Sequence, residues 1–215
     1  MKNLLPITLI ALLMLASGCG LKEVIGPNAN GTSNSDSYQP ITKGSTWAYN
    51  IQLAGTNTPI SATITMTGDV RTINGKVYYK GTEVTADGPS DGYFAHTGNV
   101  YISRSEDELD EPYLNDNLPA GATYTLSITD PASPSIPAQY LGTIVEKGIS
   151  KTIGSKTFTN VIHTRTELQY NLGSGFQSSD KNEYYIAKGV GIIEIDGYLG
   201  SLLIARQTIV SYNIK

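Results

Sequence analysis

Residues 70–79 read Val-Arg-Thr-Ile-Asn-Gly-Lys-Val-Tyr-Tyr, and this stretch decides the fold class. Its centre, Asn74-Gly75, is the strongest short-range signal for a β-hairpin, because a type I′ turn needs positive φ at both central residues. The flanking runs are rich in β-branched and aromatic residues, which favour strands. The same pattern continues toward both ends of the chain, where short runs of alternating apolar and polar residues are separated by Gly, Pro, Asn and Asp. The sequence therefore predicts an all-β protein.

About ten such runs lie between residues 38 and 215, and they predict a single β domain. An antiparallel sheet of this size must curl or divide into two packed sheets, so we expect a strongly curved sheet, a half-barrel or a sandwich. In the first run, residues 46–53, the alternation places Trp47 and Tyr49 on the core face. The last run, residues 201–213, is apolar on both faces, which predicts a strand paired inside the sheet and covered on both sides.

The segment Ser105–Leu114 is the one part of the domain that is compatible with a helical turn. It also contains the densest acidic run of the chain. Several carboxylates can bind a hard cation, but this run lacks the alternating spacing and the central glycine of a calcium loop. We therefore interpret the run as a solvated surface loop; its members are Glu106, Asp107, Glu108, Asp110 and Glu111.

The composition excludes several classes of protein. The chain has 215 residues, a formal net charge of −4 and only 16% charged residues, so it lacks the basic face that a nucleic-acid-binding protein needs. A single cysteine excludes a disulfide scaffold and a cysteine-ligated zinc site. Because the chain has only two histidines and no ligand cluster, we predict no metal site and no cofactor.

Residues 1–18 have the pattern of a secretory signal peptide. Lys2 supplies the charge, Leu4–Leu15 is almost entirely apolar, and small residues follow. The apolar run is too short to cross a bilayer core of about 30 Å, which takes about 20 helical residues. The first 18 residues are therefore expected to be an export signal that is removed.

The end of this signal, Ala16-Ser17-Gly18-Cys19, resembles a bacterial lipobox, with Ala16 at the place where leucine is commonest. The resemblance implies that the chain is cut before Cys19, that the thiol carries a diacylglycerol and that the new amine is fatty-acylated. Acyl chains attach a protein firmly to a membrane. The implied location is the bacterial cell envelope, and Gly20 instead of aspartate favours the outer membrane. Residues 19–37, rich in Gly, Asn and Ser, predict the lipidated cysteine followed by a flexible tether.

Three segments of the domain resemble lipoproteins of the Bacteroidota whose function is unknown. The first is Tyr38–Tyr49, with the pattern Y-x-P-I-x-x-G-x-x-W-x-Y; the second is Phe158–Ile162, with Asn160 at its centre; the third is Tyr184–Ile193, which contains Ala-Lys-Gly-Val-Gly. The resemblance implies a curved antiparallel sheet, of the half-barrel kind found in lipoprotein-sorting proteins. It implies no activity, because these motifs carry no known chemistry.

Five charged residues are the candidate ligand-binding site of the domain. Three of them alternate on one face of the strand 157–171, and the other two lie on later strands that should be neighbours in a meander. They form either a ladder of opposite charges that stabilises the sheet, a polar groove for a ligand, or a glycosidase-like pair of Glu167 and Glu194. The five are His163, Arg165, Glu167, Glu194 and Arg206.

The sequence contains no constellation that is typical of an enzyme. There is no Gly-x-Ser-x-Gly motif, and neither histidine has a matching Ser/Asp context. We therefore predict a non-enzymatic, lipid-anchored envelope protein that binds an envelope protein, a glycan or a lipid, or serves assembly. Two alternatives stay open. A half-barrel could carry acyl chains or lipoproteins, which requires an empty apolar interior, and an envelope glycan hydrolase would require two carboxylates that face one cleft.

Overall fold

The computed structural model describes residues 37–105 and 109–215, and in these ranges the chain forms twelve strands and no helix. The predicted signal peptide, Cys19, the tether up to residue 36 and the acidic residues 106–108 lie outside the described residues. Within the described ranges, no helix is available that could span a bilayer. The strands are β1 (Thr46–Leu53), β2 (Ile60–Ile73), β3 (Lys76–Thr85), β4 (Gly88–Thr97), β5 (Val100–Ser105), β6 (Glu111–Asn115), β7 (Thr123–Ile128), β8 (Ala138–Ile153), β9 (Lys156–Asn171), β10 (Phe176–Ala187), β11 (Gly191–Leu199) and β12 (Leu202–Asn213).

All twelve strands belong to one antiparallel sheet, in the order β6-β5-β4-β3-β2-β1-β12-β11-β10-β9-β8-β7. The first and last strands pair in the middle of this order, and the sheet curls into a nearly closed barrel with β6 and β7 at its edges. This confirms the all-β, strongly curved sheet and rules out a sandwich, because there is only one sheet. The predicted hairpin is also confirmed: Asn74 and Gly75 have φ angles of 51° and 78°, as a type I′ turn requires.

The helical turn expected within Ser105–Leu114 is wrong for the part of this segment that is described. Strand β6 begins at Glu111 and pairs with β5. Its first four residues are all buried, so neither face alternates with solvent and the usual period of two is absent. The strand is covered on both sides because it also packs against β8 and β9 across the barrel seam.

Side chains join the two edges of the sheet at this seam. The hydroxyl of Tyr124, on β7, donates to the carbonyl of Pro112 at 2.9 Å. The hydroxyl of Thr164, on β9, donates to the carbonyl of Tyr113 at 2.5 Å. These bonds tie β6 to β7 and β9 across the seam, where the sheet order has no strand ladder between β6 and β7.

The three motifs of the sequence meet at one end of the barrel. The indole of Trp47 is 2% exposed and donates to the carbonyl of Val190 at 2.6 Å, and the Tyr49 hydroxyl donates to the carbonyl of Ile192 at 2.8 Å. Phe158, from the second motif, packs in the same cluster. Trp47 is therefore a core residue, as predicted, and residues of the three motifs pack into one hydrophobic cluster.

Strand β12 pairs with β1 on one side and with β11 on the other, which confirms its predicted place inside the sheet. The expectation that both faces are covered is wrong. Leu202 and Val210 are 62% and 48% exposed, and Val210 lies at the irregularity in the pairing with β1. Tyr212, opposite Trp47, contacts the ring of Phe158 but stays 41% exposed. Ala205 and Ile209 point inward and are buried.

Candidate functional site

The structure places all five predicted charged residues on the outer face of β9, β11 and β12, but in separate ion pairs and hydrogen bonds and not in one cluster. On β9, the residues between them point into the barrel, as the burial of Thr164 and Thr166 shows. His163 approaches Glu183 of β10 at 2.6 Å, and Arg165 donates to the same carboxylate at 2.8 Å. Burial would raise the pKa of Glu183, but the hydrogen bonds from His163 and Arg165 outweigh it and hold that pKa below its ordinary value.

The other three residues of the set have their own partners. Lys151 donates to Glu194 at 2.8 Å, and Arg206 donates to Asp196 at 2.6 Å. Glu167 accepts a hydrogen bond from the hydroxyl of Ser178. This is the pattern of a cross-strand ladder, in which each pair stabilises a sheet by about 0.2–1 kcal/mol. A ligand-binding role for the five residues stays a prediction.

The geometry gives no support to a glycosidase-like pair of Glu167 and Glu194. Glu167 is opposite Lys181 of β10, whereas Glu194 is opposite Tyr185, four residues further along that strand. Two strand spacings and four residues separate the two Cα atoms by roughly 16 Å, whereas the carboxyl groups of such enzymes are about 5–10 Å apart. Lys151 and Ser178 moreover engage the two carboxylates separately.

A second candidate site lies inside the barrel, where a cross-strand row lacks bulky side chains. Gly81 of β3 is opposite Gly92 of β4, and Gly92 is opposite Ser105 of β5. At Gly81 the ring of Phe94 occupies the space, since a Cβ there would lie 3.2 Å from it. At Gly92 a Cβ would meet nothing nearer than 3.9 Å. A cavity of about 80 Å³ adjoins Gly92 and Ser105.

The walls of this cavity are aromatic and aliphatic, with a few polar groups. The polar atoms of Trp47 and Tyr49 are already bonded to main-chain carbonyls, so these residues contribute apolar surface. A mostly apolar lining with a few placed polar groups is typical of small-ligand sites. The lining includes Trp47, Tyr49, Phe94, Glu83, Ser105 and Glu111.

Glu83 is the most unusual residue of the lining. Its neighbours across the sheet are Ile64 and Ser90, and it is only 2% exposed. In the part of the chain that the structure describes, its carboxyl group has no hydrogen-bond or charged partner, and the same holds for the hydroxyl of Ser105. Burial raises the pKa of Glu83 to about 7. Buried polar groups are nearly always hydrogen-bonded in native proteins, so two such groups on one cavity wall require an explanation.

Glu111 corrects the interpretation of the acidic run as a solvated loop. It is 1% exposed, lines the cavity and accepts hydrogen bonds from Thr166 at 2.6 Å and Asn182 at 3.1 Å. Its neighbour Asp110 accepts a hydrogen bond from Lys76 at 2.7 Å. Glu111 is buried and Asp110 is half-buried because other strands supply donors to their carboxylates, which the spacing of the run alone could not show.

The cavity is small, and this bears on the carrier hypothesis. Its volume is roughly half that of a 150 Å³ cavity that holds benzene. Trp47, Tyr49 and their neighbours fill the end of the barrel next to it. An acyl chain does not fit such a space, so the structure gives no support to an acyl-chain carrier. Among the described residues, no group of three potential ligands is placed to hold a metal ion.

Comparison with known proteins finds similarity at the level of overall shape. A candidate lipoprotein from Parabacteroides distasonis superimposes with a TM-score of 0.47 and 13% identity, covering 82% of this chain and 98% of its own. An exported-protein candidate with a YmcC-like fold from Bacteroides fragilis gives a TM-score of 0.47 and 9% identity, covering 81% and 97%. No protein-family model and no curated protein matches the chain.

Proposed function

We propose that the protein is a lipid-anchored protein of the bacterial outer membrane whose barrel is a non-enzymatic binding module. In this proposal the barrel takes a small ligand, or the end of a larger one, into the cavity beside Gly92. The anchor rests on the likeness of residues 16–19 to a lipobox. The observation that carries the binding role is the buried carboxyl group of Glu83, which lines the cavity and has no partner in the described ranges.

A ligand explains an energetic cost that the barrel alone does not offset. An unsatisfied buried polar group costs about 1–3 kcal/mol, and more when it is charged. A ligand that bonds to Glu83 and Ser105 would recover this cost on binding, whereas an apolar side chain at either place would avoid it altogether. The carboxyl group of Glu83 and the hydroxyl of Ser105 instead stand on a wall that is otherwise largely apolar.

The described lining of the cavity lacks the histidine that most often acts as general base for a nucleophilic serine such as Ser105. Glu83, a carboxyl group that could act as a base, lies on β3 and is separated from Ser105 on β5 by strand β4. The two histidines of the chain are His96 and His163, and neither lines the cavity. The one carboxylate pair that the sequence offered as an acid and a base, Glu167 with Glu194, lies on the outer face of the sheet.

The proposal is tested with a cavity-filling variant. Gly92→Val places two methyl groups in the cavity, and its Cβ meets no atom closer than 3.9 Å. A set of cationic, neutral and anionic molecules of two to six heavy atoms is titrated against the protein, with the fluorescence of Trp47 as readout, because this single tryptophan lines the cavity. The matched control is Thr63→Val, a threonine on the exposed face of β2.

We expect at least one molecule to bind the wild type and Thr63→Val equally, and to bind Gly92→Val at least tenfold more weakly. The proposed function is wrong if no member of the set binds the wild type, or if Gly92→Val binds as well as the wild type does. Circular dichroism of each variant verifies that the barrel is intact.

A further inference from the structure

We infer that the cavity binds an organic cation, the ammonium or guanidinium end of a ligand, with Glu83 as its counter-charge. The inference rests on the proposed function, because it names the chemical class that the same cavity takes. It follows from three features of the described lining: the sign of its charges, the character of its walls and its size.

The charges of the lining favour a positive guest. Two carboxyl groups, those of Glu83 and Glu111, belong to the lining, and Arg104 is the basic side chain among its described residues. The guanidinium of Arg104 is directed to Asp110, at 3.3 Å, and to the main-chain carbonyl of Ser105, at 3.2 Å. Arg104 therefore has a carboxylate partner on that side, which it shares with Lys76, whereas Glu83 has no cation of its own in the described ranges. A bound anion would be repelled by the carboxylates of Glu83 and Glu111, whereas a bound cation would neutralise the charge of Glu83.

The walls favour an organic cation over a metal ion. Hard metal cations require several oxygen ligands at short distance, commonly six or more for calcium. Here Glu83 shares the cavity lining with aromatic residues instead, namely Trp47, Tyr49 and Phe94. Aromatic faces attract cations, and the attraction is strongest where water is excluded. Carboxylate and aromatic rings together are the surroundings that suit an alkylammonium group.

The arrangement of donors and acceptors fits a head group with several N–H bonds. An alkylammonium group has three donors and no acceptor. Glu83 on β3 and Ser105 on β5 lie on either side of Gly92 on β4, so the cavity offers acceptors from two directions. A cation bonded to both would satisfy the two groups that have no partner within residues 37–105 and 109–215.

The size of the cavity restricts the guest to a short head group. At about 30 Å³ for each water-sized unit, 80 Å³ corresponds to roughly three non-hydrogen atoms. Ethylammonium has this size, and ethanol is its neutral counterpart of the same shape. The pair therefore separates charge from shape in a single comparison.

The experiment titrates the full-length chain with ethylammonium chloride and, separately, with ethanol, while sodium chloride keeps the ionic strength constant. The readout is the fluorescence of Trp47. We expect a saturable response to ethylammonium that is at least tenfold stronger than any response to ethanol. Glu83→Gln should weaken ethylammonium binding at least tenfold, and Ser105→Ala should weaken it severalfold. The matched control is Asp87→Asn, which neutralises an exposed carboxylate in the turn between β3 and β4 and should bind like the wild type.

Each result decides between the two proposals. If ethanol binds as tightly as ethylammonium, or if a folded Glu83→Gln binds ethylammonium unchanged, the cation inference is wrong while the binding role of the cavity stands. If no cationic, neutral or anionic molecule binds the wild type, the proposed function fails as well. Should Glu83→Gln not fold, the comparison of ethylammonium with ethanol in the wild type decides alone.

Discussion

At the scale of single residues, Glu83 is a buried carboxyl group that makes the stability of the barrel depend on pH. Its pKa in the folded protein is about 7, compared with 4.5 for an ordinary glutamate, because burial opposes its ionisation. Between these two values the unfolded chain has lost its proton while the folded chain retains it. The folded state therefore loses stability as the pH rises from about 4.5 to about 7, and the loss is complete above that range.

The first prediction concerns this loss. Glu83→Gln cannot ionise, so we expect it to be more stable than the wild type at about pH 8, by up to roughly 3 kcal/mol, and equally stable at about pH 4. Urea unfolding at several pH values measures the difference. Asp180, whose pKa is raised to about 6 by burial and by Glu111, titrates in both proteins and cancels in the comparison. Parallel curves for the two proteins would contradict the burial of an ionisable Glu83.

The second prediction concerns Cys19, which lies outside the described residues. Cys19→Ala removes the thiol that the lipobox resemblance assigns to the acyl chains, each worth about 0.8 kcal/mol per buried methylene. The variant should leave the detergent phase in a phase-partition experiment, whereas Cys19-containing protein should enter it. A replacement of Ser17 by alanine serves as control. Equal partition of the Cys19→Ala and wild-type proteins would disprove the lipid anchor.

Two residues show how far the sequence determines such roles. The burial of Trp47 could be predicted, because a large aromatic alternates with Tyr49 in a clear strand. The burial of Glu83 could not, although Tyr79, Gly81 and Glu83 share one face of β3. A glutamate in a strand normally marks the solvent side, and only the pairing with the Ile64 row shows that this face is the interior.

At the scale of elements, the seam of the barrel depends on one glycine. The ring of Tyr124 on β7 lies against Gly142 on β8, and a Cβ at position 142 would be 2.2 Å from that ring. The ring cannot move without breaking the hydrogen bond from Tyr124 to Pro112 on β6. Packing against a bare main chain therefore positions the side chain that joins the two sheet edges.

The third prediction follows from this contact. Gly142→Ala should lower the free energy of unfolding by about 1–3 kcal/mol through overpacking, and by about a further 1 kcal/mol through the lost hydrogen bond. Denaturant unfolding measures the change. Gly197→Ala is the matched control, because it is also a strand glycine and its Cβ would meet nothing nearer than 3.4 Å. A Gly142→Ala protein as stable as Gly197→Ala would show that Tyr124 can be repositioned at no cost.

The strands themselves were largely predictable, because a sheet with one solvent face imposes a period of two on the sequence. Strand β6 is the exception, since it is buried on both sides and carries no such period. Glu111 makes this strand still harder to predict, because an acidic residue at the start of a strand is typical of a surface turn. In the structure its carboxylate is buried and accepts hydrogen bonds from Thr166 and Asn182. The partners that make this burial possible lie far away in the chain.

At the scale of the whole molecule, the sheet order shows that β12 is indispensable. It lies between β1 and β11, so it joins the two halves of the barrel. The fourth prediction is that removal of residues 202–215 exposes two strand edges and leads to aggregation or degradation. Deletion of residues 21–36, which precede the barrel, should leave the fold intact. Limited proteolysis and circular dichroism compare the two, and a cooperative melt of the first deletion would contradict the role of β12.

The curved all-β fold followed from alternation and chain length, but the cavity did not. It depends on Gly81, Gly92 and Ser105, which come from three strands and meet only through their register. A glycine in a strand is compatible with a bulge, a bend or an empty space. The sequence alone does not distinguish these possibilities, because the choice depends on which side chains face the glycine from the opposite wall.

The pairing of β1 with β12 also governs when the barrel can form. The first strand of the domain finds one of its two partners only in the last strand, so the central ladder closes after nearly the whole chain is present. Long-range pairing of this kind makes folding slow, because the chain loses the entropy of loop closure before the contacts between the two strands can stabilise it. For a chain whose proposed route crosses a membrane, this delay is useful. While the chain is still crossing the membrane, β12 has not yet emerged to pair with β1, so the barrel does not close before export is complete.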